Sequence, residues 1–256
     1  MTRRRFYAPP AALAPDEKSA WLGAEEARHL RDVLRLRQGD EIYVFDGLGR
    51  EFHCEVKTMA KDSIDLAVIA EVEPARPESP LDLTLGIVLL KHEKFDLVIQ
   101  KTTELGVNRI IPLDSERADV RLRDSMDAQK RVTRWRRIAL EAAKQSGRAR
   151  VPEVTAPTTL VSMLSGADEN KSSKSVARLM FAERAGKWLK TIDDLSGPPT
   201  EVIALVGPEG GWTDEEIELA RGGGWGIVTL GGRTLRAETA AIVVATLLQH
   251  RFGDLV

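Results

Sequence analysis

Val202-Ile203-Ala204-Leu205-Val206-Gly207-Pro208-Glu209-Gly210-Gly211-Trp212 joins five consecutive apolar residues to a loop containing three glycines and a proline. A short apolar run without alternation predicts a strand covered on both faces, the kind found inside a parallel sheet. Thr213 and Glu216 follow at the spacing of a capping box, so a helix is expected from about 214 to 221. The arrangement then recurs. Ile227-Val228-Thr229-Leu230 runs into Gly231-Gly232-Arg233-Thr234-Leu235-Arg236, with another helix expected over 238–251. Either loop alone reads more simply as a tight strand-to-helix turn with glycine for unusual φ. Two of them, with Arg236 and Glu238 at the second, predict a ligand pocket beyond the carboxyl ends of the strands. Backbone groups and small side chains would suit an adenine ring, which needs directional hydrogen bonds and apolar faces more than charge.

Working outward, apolar runs at 81–90, 110–113 and 177–182 predict further buried strands, alternating with helices at 93–105 and 128–146, the latter stopped by Gly147. An α/β domain with a mainly parallel sheet follows, and 165–175 reads as a polar loop. The chain before it differs. Apolar spacing at Leu30, Val33, Leu34 and Leu36 predicts a helix over 25–36, and strands are expected at 41–46, 51–57 and 64–72 with a turn at 47–49. Pro74, Pro77 and Pro80 mark a linker, which gives two domains, 1–74 and 75–256.

The 256 residues carry 37 basic and 39 acidic side chains, a formal charge of −2. The distribution is uneven: residues 1–37 hold 8 basic and 5 acidic groups, and residues 117–150 hold 11 and 4. Positive charge concentrated in two segments of a near-neutral chain fits one surface meeting a polyanion, and fits equally a solvated helix face.

Several chemistries lose their footing. The histidines at 29, 53, 92 and 250, with Cys54 as the single cysteine, offer no metal-ligand spacing, and His92-Glu93 lacks the second histidine of a zinc-protease helix because position 96 is Asp96. No metal is expected. A nucleophile elbow, a P-loop and a dinucleotide-binding glycine motif after a strand are all missing. One cysteine allows no internal disulfide, and no signal peptide or membrane span is read, so a cytoplasmic protein is expected.

The blocks GPEGGWTDEE (207–216), LGGRTLRAETAA (230–241) and LVIQKTTELGVNRIIPL (97–113) resemble the bacterial family that methylates N3 of a uridine in 16S ribosomal RNA, within the SPOUT superfamily of knotted methyltransferases. The likeness extends to Arg4-Arg5-Phe6-Tyr7, to the segment from His29-Leu30 to Asp40, to EAAKQSGR (141–148) and to Val151-Pro152, so it spans nearly the whole chain.

The resemblance implies a trefoil-knotted α/β domain behind a PUA-like, OB-related β-barrel, a homodimer, and a substrate of 16S ribosomal RNA within the 30S subunit. It implies S-adenosylmethionine as cofactor, held by Leu205, Val206, Gly207, Glu209, Gly210 and Gly211 from the first loop and by Leu230, Gly231, Leu235, Arg236 and Ala237 from the second. Arg236 is expected to stabilise negative charge on the uracil carbonyls. Glu238 is the nearest proton acceptor, or else complements the helix dipole. RNA contacts are expected from Arg3, Arg4, Arg5 and Phe6, and from Gln145 and Arg148; Trp135 is expected in the core or an interface. Two rivals stand: a SPOUT enzyme acting on a ribose 2′-oxygen or another base, and a catalytically silent RNA-binding assembly protein.

Overall fold

The computed structural model describes residues 3–91, 93–122, 124–166, 176–188 and 198–255. His92 and most of the polar loop expected at 165–175 lie outside the described residues. Two compact units emerge, residues 1–78 with 140–151 and residues 79–139 with 152–256. The first therefore includes a segment from the middle of the chain as well as the 1–74 expected of it.

In the first unit, β1 (Arg5–Tyr7), β2 (Ser19–Leu22), β3 (Glu41–Phe45), β4 (Glu51–Met59) and β5 (Ile64–Val72) form one sheet in the order β1-β3-β4-β5-β2. The ladder starts at β1 and ends at β2. Alternation along β3 and β4 turns Ile42, Val44, Phe52, Cys54 and Val56 into a core with Phe6, Leu22, Leu30, Ile64 and Leu66. The turn joining β3 to β4 is held by Asp46, whose Oδ1 accepts from the Leu48 and Arg50 amides at 2.7 and 3.1 Å.

The helix expected over 25–36 is shorter and changes pitch. α1 (Ala24–Arg28) passes into a π-helical turn (His29–Val33), and Arg35 closes it at φ +54°. The wider turn keeps Ala27 and Leu30 in the core and leaves Val33 and Leu34 exposed, which a regular amphipathic helix would not do. Cys54 is buried, and burial pushes its thiol up to about 12. At pH 8 the folded protein is expected to react with a thiol reagent only as it unfolds. Rapid labelling without denaturant would contradict this packing.

The second unit holds β6 (Asp82–Val88), α2 (Glu93–Glu104), β7 (Arg109–Asp114), the start of α3 (Ser125–Ser146), β8 (Glu153–Val154), β9 (Thr158–Thr159), α4 (Leu160–Gly166), β10 (Val176–Phe181), β11 (Lys187–Trp188), β12 (Glu201–Val206), α5 (Asp214–Gly222), β13 (Gly226–Thr229) and α6 (Ala237–Phe252). Its strands run β11-β13-β10-β12-β6-β7-β8, with β9 also on β7, and every pair is parallel. Helical crossovers between parallel neighbours account for the unbroken apolar runs, since both faces of the sheet are covered. Trp135 is buried in α3, 4.4 Å from the Phe95 ring.

Candidate active site

β12 and β13 follow each other in the chain but are not neighbours in the sheet. β10 lies between them, with Phe181 opposite both Val206 and Val228. The glycine loops therefore flank a third loop, the one leaving β10, and the site has three walls where the sequence indicated two. The missed wall contributes Phe181, Ala182 and Glu183.

Trp212 locks this arrangement. Its ring is buried, and its Nε1 donates to the Phe181 carbonyl at 2.9 Å, tying the loop after β12 to the end of β10. Gly207 passes directly over that ring: a Cβ there would meet Trp212 Cε2 and Nε1 at 3.0 Å. Gly211 turns at φ +66°, and its amide bonds the Pro208 carbonyl at 3.0 Å. Beyond it the expected capping box is formed, with Glu216 N donating to Thr213 Oγ1 at 3.1 Å and Thr213 N to Glu216 Oε2 at 2.9 Å. Arg117 holds the loop from outside through the Gly210 carbonyl at 3.2 Å, and Arg184 through the Trp212 carbonyl at 3.2 Å.

The cleft enclosed by the three loops measures about 560 Å³ including its open mouth. Of the residues expected to hold a cofactor, Val206, Gly207, Gly211, Leu230, Gly231, Leu235 and Ala237 line it. Leu205 does not; it is fully buried in the core beneath. Gly210 faces Arg117, and Glu209 turns outward to pair with Lys94 of α2. Arg236 stands just outside, exposed, at the N-cap of α6 between two lining residues. Thr229 also lines the cleft, and its hydroxyl oxygen is buried without a hydrogen-bond partner among the described residues. Glu183 and Arg233 are the charged side chains in a lining that is otherwise apolar or glycine apart from Thr229 and Thr234. Such a recess fits a ligand with a flat heteroaromatic part and separate charged groups: the backbone supplies donors and acceptors, and Thr229 has a hydroxyl to offer.

Glu238 lies in the first turn of α6, its side chain 12% exposed. One carboxylate oxygen is 3.8 Å from Lys94 Nζ, and the other has no partner among the described residues. Lys94 thus faces two carboxylates, Glu209 on the first loop and Glu238.

The residues expected to touch RNA all fall in the first unit, and the structure corrects two of them. Phe6 has no exposed surface; it sits in the core with its ring edge-on to His29, so it offers no face for a base. Arg148 is buried, its Nε and Nη2 donating to Glu78 Oε2 at 3.0 and 2.8 Å, and it is committed to folding the chain rather than to a phosphate. Arg3 pairs with Glu51 over the Tyr43 ring, Arg5 pairs with the same Glu51, Arg4 is exposed, and Gln145 opens onto a cleft shared with Arg3 and Arg5. The sequence could not show that one buried carboxylate, Glu51, gathers two of the arginines. Among the described residues no cluster of His, Cys, Asp and Glu could hold a metal ion, and no helix is long and apolar enough to cross a membrane.

Comparison with known proteins shows a match to the RNA methyltransferase domain over residues 77–249 and to the RNA methyltransferase PUA domain over residues 22–69. A Synechocystis protein called ribosomal RNA small subunit methyltransferase E is 36% identical, across 95% of this chain and 76% of its own length. The Bacillus subtilis protein of that name is 31% identical, over 89% of this chain and 88% of its own. The crystal structure of the Neisseria gonorrhoeae enzyme of that name bound to S-adenosyl methionine superposes with a TM-score of 0.83 at 32% identity, over the whole of both chains.

Proposed function

Because the chain belongs to the ribosomal RNA small subunit methyltransferase E family, we propose that it methylates N3 of one uridine in 16S ribosomal RNA using S-adenosylmethionine. The observation that carries the reading is the three-loop cleft with Arg236 and Glu238 at its rim. In this reading Gly207, Gly211, Leu230, Leu235 and Ala237 hold the adenosine part against backbone and apolar side chains, and Glu183 offers a carboxylate to the positive charge of the sulfonium. The cofactor supplies an electrophilic methyl group.

Neutral uridine N3 carries a proton and no lone pair directed for attack. The N–H bond must break, its proton passing to water, as the new N–CH3 bond forms. Arg236 favours that loss by placing a planar guanidinium against the uracil carbonyl oxygens where negative charge gathers. Holding base and methyl donor in line supplies much of the remaining acceleration. Glu238, opposed by Lys94 and by the positive end of α6, is assigned to balancing charge at that helix end rather than to accepting the proton. Glu238→Gln is accordingly expected to keep turnover at neutral pH within a few-fold, whereas a loss of about 100-fold would return it to the role of general base.

We assign the segments around the cleft to a trefoil knot of SPOUT type, the active form to a homodimer, the substrate to the assembled 30S subunit, and the protein to the cytoplasm. The decisive experiment is transfer of labelled methyl groups to small subunits from cells lacking the activity, followed by nucleoside analysis. The expected product is 3-methyluridine at one 16S position. Label on ribose or another base would move the chain to a different specificity, and cofactor binding without transfer to any subunit preparation would favour a silent binder.

A further inference from the structure

Lys94 enters the mechanism above only as a charge opposite Glu238, yet it reaches both glycine-loop segments. It occupies the first turn of α2, where Phe95 and Val98 are buried and the Phe95 ring lies 4.4 Å from that of Trp135, so packing fixes the backbone beneath it. Its ammonium pairs with Glu209 of the first glycine loop and stands 3.8 Å from Glu238 in the first turn of α6.

The charge around it is uneven. One ammonium serves two carboxylates, and Glu238, with its side chain 12% exposed, keeps a second oxygen without a partner among the described residues. The neighbouring lysine is committed elsewhere, Lys91 Nζ being bound to Asp119 at 2.8 Å. Without the Lys94 ammonium, two carboxylates would face one gap with no charge between them, and their repulsion would push the first loop and the start of α6 apart. Those two segments do different work. The first loop holds the methyl donor, whereas Glu238 lies two residues beyond Arg236, which acts on the base.

We propose that Lys94 is a positioning residue for methyl transfer: by binding Glu209 and Glu238 together it sets the spacing between the cofactor loop and the helix end that carries Arg236. The proposal rests on the methyl-transfer reading above. Ion pairs as exposed as the one between Lys94 and Glu209 add little to stability. In-line displacement is far less tolerant, since a misplacement of about 1 Å can cost up to roughly 100-fold in rate. The first loop itself stays anchored through Trp212 and Arg117, so cofactor affinity does not depend on Lys94. The mild effect expected of Glu238→Gln agrees with this role, because a glutamine amide oxygen still accepts from the ammonium.

The test uses the full chain. The Lys94 side chain is only partly buried and Lys94→Met keeps its aliphatic stem, so the midpoint of thermal unfolding is expected to stay unchanged. Lys94→Met is expected to lower kcat on small subunits by roughly 20-fold, with KM for subunits and S-adenosylmethionine affinity within about 3-fold of the parent. Lys94→Arg, which keeps the charge and the reach, is expected to return kcat to within a few-fold of the parent. Lys94→Met combined with Glu209→Ala should cost no more than Lys94→Met alone, because the link is already gone. Hydrogen exchange of the ligand-free protein reads that link without turnover: amides in 207–212 and 237–241 are expected to exchange about 3-fold faster in Lys94→Met and to return to the parental rate in Lys94→Arg. Parental kcat in Lys94→Met would overturn the proposal, as would a loss confined to KM or cofactor affinity. So would an arginine variant as slow as the methionine one, multiplied losses in the double variant, or unchanged exchange in both segments. Should the parent protein methylate no RNA, the proposed function falls and takes the kinetic arm with it; the exchange series still decides whether Lys94 ties the two segments.

Discussion

Arg236→Lys is expected to slow methyl transfer to small ribosomal subunits by about 100- to 1000-fold, with S-adenosylmethionine affinity within a few-fold of the parent. The size follows from what the side chain is asked to do. Charge develops on the uracil carbonyls only as the N3 proton leaves, so a donor aimed there acts on the transition state far more than on the bound substrate. A guanidinium presents two parallel N–H groups at fixed geometry, whereas an ammonium keeps the charge and loses the fork. The fold is not at stake, because Arg236 is exposed and its side chain makes no capping hydrogen bond to α6. The helix start rests on backbone instead, the Ala240 amide donating to the Arg236 carbonyl at 2.8 Å. Steady-state kinetics with calorimetric cofactor titration checks this. A lysine variant with parental kcat would show that charge alone, or positioning alone, carries the step.

The glycine loops were legible because their signals are local. Five apolar residues followed by glycines, then Thr213 and Glu216 at capping-box spacing, identify strand, turn and helix within one window, and the structure places each as read. What the sequence could not show is order across the sheet. β10 carries no mark that it lies between β12 and β13, since pairing is decided by contacts distant in the chain, and so the wall containing Glu183 and the bond from Trp212 to Phe181 came only with the fold. Phe6 and Arg148 fail for the same reason. A phenylalanine among arginines and an arginine after a helix look alike in sequence whether they face RNA or the interior, and it took β1 pairing with β3, and Glu78 reaching Arg148, to bury them. The π-helical turn at His29–Val33 is a subtler case: four apolar residues at nearly helical spacing gave no sign that the turn would widen by one residue.

Trp212→Ala is expected to lower the stability of the methyltransferase unit by about 3–5 kcal/mol and to weaken S-adenosylmethionine binding by tenfold or more. Two effects converge on this side chain. It is 2% exposed and packs in the core with Leu205, Met180, Ile217 and Trp225, so truncation leaves a void that a close-packed interior closes only in part. It also donates its indole N–H to the Phe181 carbonyl, a buried bond between the first glycine loop and the end of β10, where the other tie, from Arg184 to the Trp212 carbonyl, is made by a partly exposed side chain. Gly207 would then lose the ring it rests on, and the cleft one of its three walls. The two contributions separate in Trp212→Phe, which fills much of the space but has no donor. If the bond to Phe181 is what shapes the cleft, Trp212→Phe should recover most of the thermal stability while cofactor affinity stays low, as measured by thermal unfolding and calorimetry on the same preparation. Recovery of both would reduce Trp212 to packing, and the three-loop geometry would have to be maintained by Arg117 and Arg184, which grip the same loop through the carbonyls of Gly210 and Trp212.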